Sequence, residues 1–439
     1  MTPDEVQALD FSIQRVGTPT LESGLRDVLF IQDDERVSYY ADPRINRDLE
    51  GRGLTPPAFV VAGPRRQLFH DAAWTRAAIV TCGGLCPGLN DVIKALVNTL
   101  YYTYGVDNIF GIPYGFRGLV PTYGLKPLEL TPDMVDNIHD SGGSILGTSR
   151  GEQSTEEIVR TLDRLNINIL FTIGGDGTQR AAGEIAEAAR ARGLAVSVIG
   201  IPKTIDNDLN FMERTFGFET AIYTAAPVIS CAHMEAKAVY NGIGLVRLMG
   251  RDSGFIAAHA TLANSVVNFC LIPEVPFELE GPRGFLPALQ RRLEEKHHAV
   301  VVVAEGAGQE LFRGLPEERD RSGNVIHHDI GIFLKDRIKS YLDKQGVESA
   351  MKYFDPSYQI RGVPARGTDA IFCLHLAQQA VHAAMAGFTN LVVGYWHGHF
   401  VCIPTALATR ERRRIDPRGQ LWQSVLQVTR QRDVWAPEA

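Results

Sequence analysis

The chain has 439 residues, 45% of them hydrophobic, with 42 glycines and a formal net charge of −7. That length calls for two or three hydrophobic cores rather than one, and the acidic balance argues against nucleic acid as a partner. No apolar run approaches the roughly 20 residues of a membrane span, the opening Met1-Thr2-Pro3-Asp4-Glu5 lacks the basic and apolar parts of a secretion signal, and the six cysteines fit reduced thiols in a cytoplasmic protein.

Residues 1–74 read as a mixed arm without a strong period, in which Arg65 and Arg66 are ordinary surface charge. A regular alternation follows. Residues 77–81 are a strand, and the turn after it carries Cys82 and Cys86 with no second Cys/His pair at zinc spacing. An amphipathic helix from 89 to about 102 places Val92, Ile93, Leu96, Val97 and Leu100 on one face. Residues 108–112 form the second strand and 167–173 the third, ending at Gly-Gly-Asp-Gly-Thr at 174–178. A helix at about 179–192 leads to the strand 195–201, which delivers Pro-Lys-Thr-Ile-Asp-Asn-Asp at 202–208. Strand, loop and helix in repetition predict an α/β fold with a doubly wound, Rossmann-like parallel sheet. Ligands of such sheets sit at the carboxyl ends of the strands, where all these glycine- and aspartate-rich loops fall.

A second series follows at 243–249, 269–273, 299–306 and 390–395, with Met-Gly-Arg-Asp-Ser-Gly at 249–254 leaving its first strand. It predicts a second α/β domain facing the first across a cleft. His397 and His399 read as packing or surface residues, and the arginines within 410–414 as a solvated face or subunit contact. No internal repeat or low-complexity tract interrupts the chain.

Glycines at a strand end let backbone N–H groups approach phosphate oxygens, and a following helix N-terminus adds a favourable dipole. The GxxxxGK[ST] loop and a well-placed GxGxxG are both absent, which disfavours a plain P-loop or dinucleotide site. Asp176 lies among glycines, where a phosphate would repel it unless a divalent cation stood between them, so it is a natural Mg2+ anchor. By itself Gly-Gly-Asp-Gly-Thr also resembles the nucleotide loop of NAD kinases and diacylglycerol kinases, or is a structural turn. In the 202–208 segment Asp206 can take a proton from a hydroxyl, and Asp208 can orient it or hold a metal.

Taken together the motifs are far more specific. Gly-Gly-Leu-Cys-Pro-Gly-Leu-Asn at 83–90, Gly-Gly-Ser-Ile-Leu-Gly-Thr-Ser-Arg at 142–150 and the loops at 174–178, 202–208 and 249–254 occur in order. This set resembles a 6-phosphofructokinase over roughly residues 75–430, in the long ATP-dependent form of trypanosomatids and plants that groups with pyrophosphate-dependent enzymes. The resemblance implies an extension at 1–74, a nucleotide-binding α/β domain at 75–217 plus about 361–409, and a sugar-phosphate-binding α/β domain at 218–360 plus about 410–439. It implies that Asp206 is the base acting on the sugar 1-hydroxyl, with Thr204 beside the transferred group, Asp208 in support and Arg251 stabilising phosphoryl charge. ATP would meet Gly83, Arg150, Gly175, Asp176, Gly177 and Thr178, with Mg2+ on Asp176. Fructose 6-phosphate would meet Thr204, Asp206, Met249, Gly250, Arg251, Glu305, Lys352, Tyr358 and Arg361. A cytoplasmic, glycolytic, allosteric homo-oligomer, tetrameric in the family, completes what the resemblance implies.

Short bacterial enzymes carry an Arg where Gly242 stands, and Tyr240 supplies only a neutral hydroxyl nearby. They also carry Asp at the position of Leu85 and His at that of Tyr358. The donor turns on two residues. Gly177 leaves room for a nucleotide where pyrophosphate users have Asp, whereas Lys203 is the pyrophosphate users' residue. Steric exclusion is harder to evade than a mobile ammonium, so ATP is the expected donor. The alternatives are a pyrophosphate-dependent phosphotransferase and, from another class, a non-catalytic sugar-phosphate-binding regulatory subunit, which the presence of Asp176, Asp206 and Arg251 argues against.

Overall fold

The computed structural model describes residues 3–319 and 325–431. The expected ends of the arm and of the second domain, residues 1–2 and 432–439, lie outside the described residues. The chain divides into two compact units, one of Met1–Thr204, Leu209–Gly217 and Val363–Arg412, the other of Ile205–Asp208, Phe218–Gly362 and Arg413–Ala439.

The first unit is built on a nine-stranded sheet. Its centre is parallel, in the spatial order Leu391–Trp396, Ser197–Pro202, Ile169–Gly174, Arg76–Thr81 and Asn108–Ile112. Every residue of the 169–174 and 197–202 strands is buried, as expected of near-continuous apolar runs in a sheet covered on both faces. Ala78 and Val80 face a core shared with Ile158, Leu162 and Ile185 of the helices Thr155–Arg164 and Asp176–Ala191. The helices Leu89–Asn98 and Gly367–Met385 pack together, and the latter also lies against the 197–202 strand.

Residues of the arm join this sheet. Ala58–Val61 pairs antiparallel with His399–Pro404, and Arg36–Ser38 adds a strand beyond it. Phe11, Tyr39 and Phe59 of the arm share an aromatic cluster with Phe211 and Trp396, in which Tyr39 stacks on Trp396 at 5.4 Å. The strand at 390–395, grouped with the second series by its place in the chain, pairs in this first sheet, Leu391 with Ile199, because an apolar run declares a strand but not its neighbour. Arg65 is not surface charge: it is 3% exposed and donates to the carbonyls of Gly63 and Val61 at 3.0 and 2.6 Å while pairing with Asp33. A planar guanidinium fork satisfies several acceptors at once and so tolerates burial. His397 packs at the 396–399 hairpin, with ring nitrogens 3.1 Å from Tyr39 O and 3.3 Å from Glu213 Oε1.

The second unit holds a four-stranded parallel sheet in the order Phe269–Leu271, His298–Ala304, Gly242–Leu248 and Ala350–Phe354. The helix Phe218–Ala238 lies directly on its central strand. A Cβ at Gly242 would stand 2.1 Å from the Ala236 carbonyl oxygen, and one at Gly244 2.6 Å from that of Ala232. Gly242 therefore has no room for any side chain, and this is the physical reason an Arg cannot stand there in this chain.

Candidate active site

Register sets the first group of residues. Thr81 pairs with Ile173, and Gly174 with Pro202, so three buried strands end level and their loops leave one edge. At the middle loop a Cβ on Gly174 would lie 2.3 Å from Thr178 Oγ1, a close approach that only glycine allows. Gly175 then starts the helix Asp176–Ala191, whose first turn contains Asp176, Gly177 and Thr178. The fixed element is Gln179, at 0% exposure: its side-chain amide donates to the carbonyls of Thr172, Gly174 and Ile201 at 3.2, 2.9 and 3.1 Å. One carboxamide thus ties the helix start to the ends of two strands.

The neighbouring loops attach to this frame. Gly83 donates from its N–H to the Ser149 carbonyl at 2.9 Å, which places Arg150, an exposed residue, one position from that contact. Asn90 clamps the same stretch, donating to Ile138 O and Ser141 O and accepting from Ile145 N–H. Lys203 is buried, takes the Gly174 carbonyl through its own N–H at 3.0 Å, and sets its Nζ 2.7 Å from the Gly84 carbonyl oxygen. Thr204 is held through its carbonyl by the buried Thr215 hydroxyl at 2.8 Å. The Asp176 carboxylate pairs with Arg180 one turn along the helix, while Gly177 faces open space. Cys82, at the foot of the first loop, is an inert thiol that burial pushes up to about 11.

The second unit gathers the other group. Leu248 pairs with Ala304 and Val246 with Phe354, so residues 249–254, 305–309 and 355–361 leave one edge of its sheet. Arg251 adopts a left-handed backbone, φ 52°, and its N–H donates to Glu305 Oε1 at 3.0 Å. A Cβ on Gly306 would lie 1.9 Å from the Arg251 carbonyl oxygen, so glycine at 306 is what lets these two loops touch. Strain of this kind persists only where the surroundings hold it. Ser253 does part of that work: its hydroxyl lies 3.0 Å from the Gly250 carbonyl and 3.3 Å from that of Asp206. Glu274 adds to it. Its Oε1 accepts the N–H groups of Gly254 and Ile415 at 3.0 Å each, and burial pushes its carboxyl up.

The structure thus brings Asp206, Met249, Gly250, Arg251 and Glu305 to one loop cluster. Asp208 is buried and accepts from Arg413 N–H at 2.8 Å. The Arg361 guanidinium lies over the exposed Tyr358 ring at 4.9 Å. Lys352 is set back from the edge, mid-strand opposite Gly244. Sequence reasoning missed Gln179, Glu274 and Arg247. Their only signal was a single polar residue inside an apolar helix face (Gln179), inside an apolar strand (Arg247) or in the apolar turn after the 269–271 strand (Glu274).

Comparison with known proteins gives one family. The family model described as Phosphofructokinase matches residues 76–384. An ATP-dependent 6-phosphofructokinase of Borreliella burgdorferi is 50% identical over 376 residues, 84% of each chain. The protein of that name from Trypanosoma cruzi is 42% identical over 434 residues, 97% of this chain and 89% of its own. Among solved structures, a pyrophosphate-dependent phosphofructokinase from Marinobacter aquaeolei superposes with a TM-score of 0.67 at 20% identity, covering 83% of this chain and 92% of that one. At that identity the likeness concerns the fold alone.

Replacing Gln179 with the similarly shaped but apolar Met removes the amide that three buried carbonyls share. Gln179→Met is expected to cost about 1–3 kcal/mol, read as a lower urea midpoint of unfolding; an unchanged midpoint would show that the strand ends hold without it.

Proposed function

The chain belongs to the phosphofructokinase family, and we propose how its residues divide the work of that family's reaction. The reaction is transfer of the terminal phosphoryl group of ATP to the 1-hydroxyl of fructose 6-phosphate, giving fructose 1,6-bisphosphate and ADP. The observation that carries the assignment is the course of residues 202–208. They begin in register with the Gly174–Thr178 loop and continue into Asp206, whose carbonyl is met by Ser253 of the loop bearing Arg251.

Asp206 takes the proton from the 1-hydroxyl as that oxygen attacks phosphorus. Thr204 lies next to the transferred group, and Asp208 supports the base. Arg251, held in its left-handed backbone by Glu305, presents a cation to the oxygens that gather charge in the transition state. On the nucleotide side, Gly83 and Arg150 and the helix start at Gly175–Thr178 receive the phosphates, through N–H groups and the helix dipole. On the sugar side, Met249 and Gly250 line the site, the Glu305 carboxylate accepts from hydroxyls, and Lys352, Tyr358 and Arg361 receive the 6-phosphate.

The residues fit Mg2+. Asp176 is 17% exposed at the first helical position. Mg2+ characteristically binds through one or two carboxylates, water and substrate phosphates. Bound with ATP at Asp176, it would neutralise phosphate charge.

For the donor, Gly177 and Lys203 have different weights. A Cβ at Gly177 would meet nothing within 4 Å, which is compatible with a nucleotide approaching there. The Lys203 ammonium rests on the Gly84 carbonyl, which supports a role in holding the Gly83–Gly84 turn that is compatible with ATP. The identity to ATP-dependent relatives supports the same donor. No helix among the described residues is long and apolar enough to cross a membrane, and a cytoplasmic homotetramer is the assembly proposed by family membership.

Asp206→Ser is expected to lower kcat by about 10²–10⁴-fold, the range for loss of a general base, with KM for fructose 6-phosphate little changed. Near-normal turnover would sink the assignment. Gly177→Asp places a carboxylate where the nucleotide approaches, and kcat/KM for ATP should fall by about 100-fold or more, a loss of transition-state binding near 2.7 kcal/mol. Retention of ATP turnover would remove Gly177 from donor selection.

A further inference from the structure

The buried strand Gly242–Leu248 carries one charged side chain, Arg247, which is 16% exposed. Its guanidinium meets carboxylates from three separate stretches of chain. Nη2 lies 3.3 Å from Glu305 Oε2, Nη1 2.9 Å from Asp355 Oδ2, and Nε 3.7 Å from Asp329 Oδ1. Nη1 also lies 3.4 Å from Ser357 Oγ. Ser357 is itself folded onto Asp355, donating from its N–H at 3.1 Å and from its hydroxyl.

These contacts converge on the sugar-phosphate residues. The Glu305 carboxylate has one oxygen on the Arg251 N–H and the other on Arg247. Its plane is therefore set, and each oxygen keeps a lone pair for an incoming hydroxyl. The same guanidinium fixes the Asp355–Ser357 turn, which immediately precedes Tyr358. Without this cation the three carboxylates would repel one another in a partly desolvated place, and Glu305 would be the one free to swing away from Arg251. A point-charge ammonium cannot face three carboxylates in fork geometry.

We propose that Arg247 is a positioning residue for fructose 6-phosphate: it orients the Glu305 carboxylate and fixes the 355–358 turn, without touching the substrate. The proposal rests on the reading of Glu305, Tyr358 and Arg361 as sugar-phosphate contacts. A merely structural role in joining strands would lower stability and all kinetic constants together. A positioning role separates the two substrates.

The test uses the full chain with Arg247→Met, Arg247→Lys, Glu305→Gln and the Arg247→Met/Glu305→Gln double variant. Arg247→Met is expected to raise KM for fructose 6-phosphate about tenfold, with KM for ATP within about twofold of the parent. Arg247→Lys should fall between. Glu305→Gln should raise the same KM, and the two effects should be less than multiplicative in the double variant, because one of the two routes from Arg247 runs through that carboxylate. A parental KM in Arg247→Met beside a raised KM in Glu305→Gln overturns the Arg247 proposal alone, and so do multiplied effects in the double variant. A parental KM in Glu305→Gln overturns the reading of Glu305 instead. If Arg247→Met does not fold, Arg247→Lys carries the test: a raised KM for the sugar phosphate alone supports the proposal, and parental values for both substrates overturn it.

Discussion

Buried parallel strands cannot slip past one another by one residue without turning every side chain to the wrong face. In both units that constraint fixes where the strands end. The pairings of Ile173 with Thr81 and Gly174 with Pro202 in one sheet, and of Leu248 with Ala304 in the other, level the carboxyl edges. The polar loops then start from fixed points. Backbone hydrogen bonding and apolar burial therefore do the first part of the positioning, before any functional side chain is considered.

A second layer is set by close approach. Gly174 admits Thr178, Gly306 admits the Arg251 carbonyl, and Gly242 and Gly244 admit the backbone of the helix Phe218–Ala238. In each case a methyl group would overlap atoms that cannot move cheaply. Buried polar side chains complete the frame: Gln179 at the first edge, with Glu274 and Arg247 at the second. Such groups are costly when unpaired, so each also holds its neighbours to one geometry.

Much of this was legible in the amino-acid order. The strands at 76–81, 108–112, 169–174, 197–202, 242–248 and 298–304 are largely apolar runs of the right length with glycine or proline at the end or just beyond it, and they were recognisable as such. The motif loops stood out because glycine, aspartate and threonine crowd into positions where a helix or strand would exclude them. What was hidden depends on partners. The run at 391–396 declared a strand but not which sheet it joins, and the strands 36–38 and 58–61 of the arm are too short to show a period. The strand Ala350–Phe354 is only partly buried, so it has neither a continuous apolar run nor a clean alternation. Arg65, Gln179 and Arg247 look like ordinary polar residues until the carbonyls and carboxylates around them are placed.

With its Nζ on the Gly84 carbonyl, Lys203 serves the Gly83–Gly84 turn in the proposed reading rather than a diphosphate, and ATP is the phosphoryl donor. The most direct test is the initial rate of fructose 1,6-bisphosphate formation by the intact chain, with Mg2+ and either ATP or pyrophosphate as sole donor. Turnover with ATP and none above background with pyrophosphate is the predicted result. Turnover with pyrophosphate alone, or with neither donor, would contradict it.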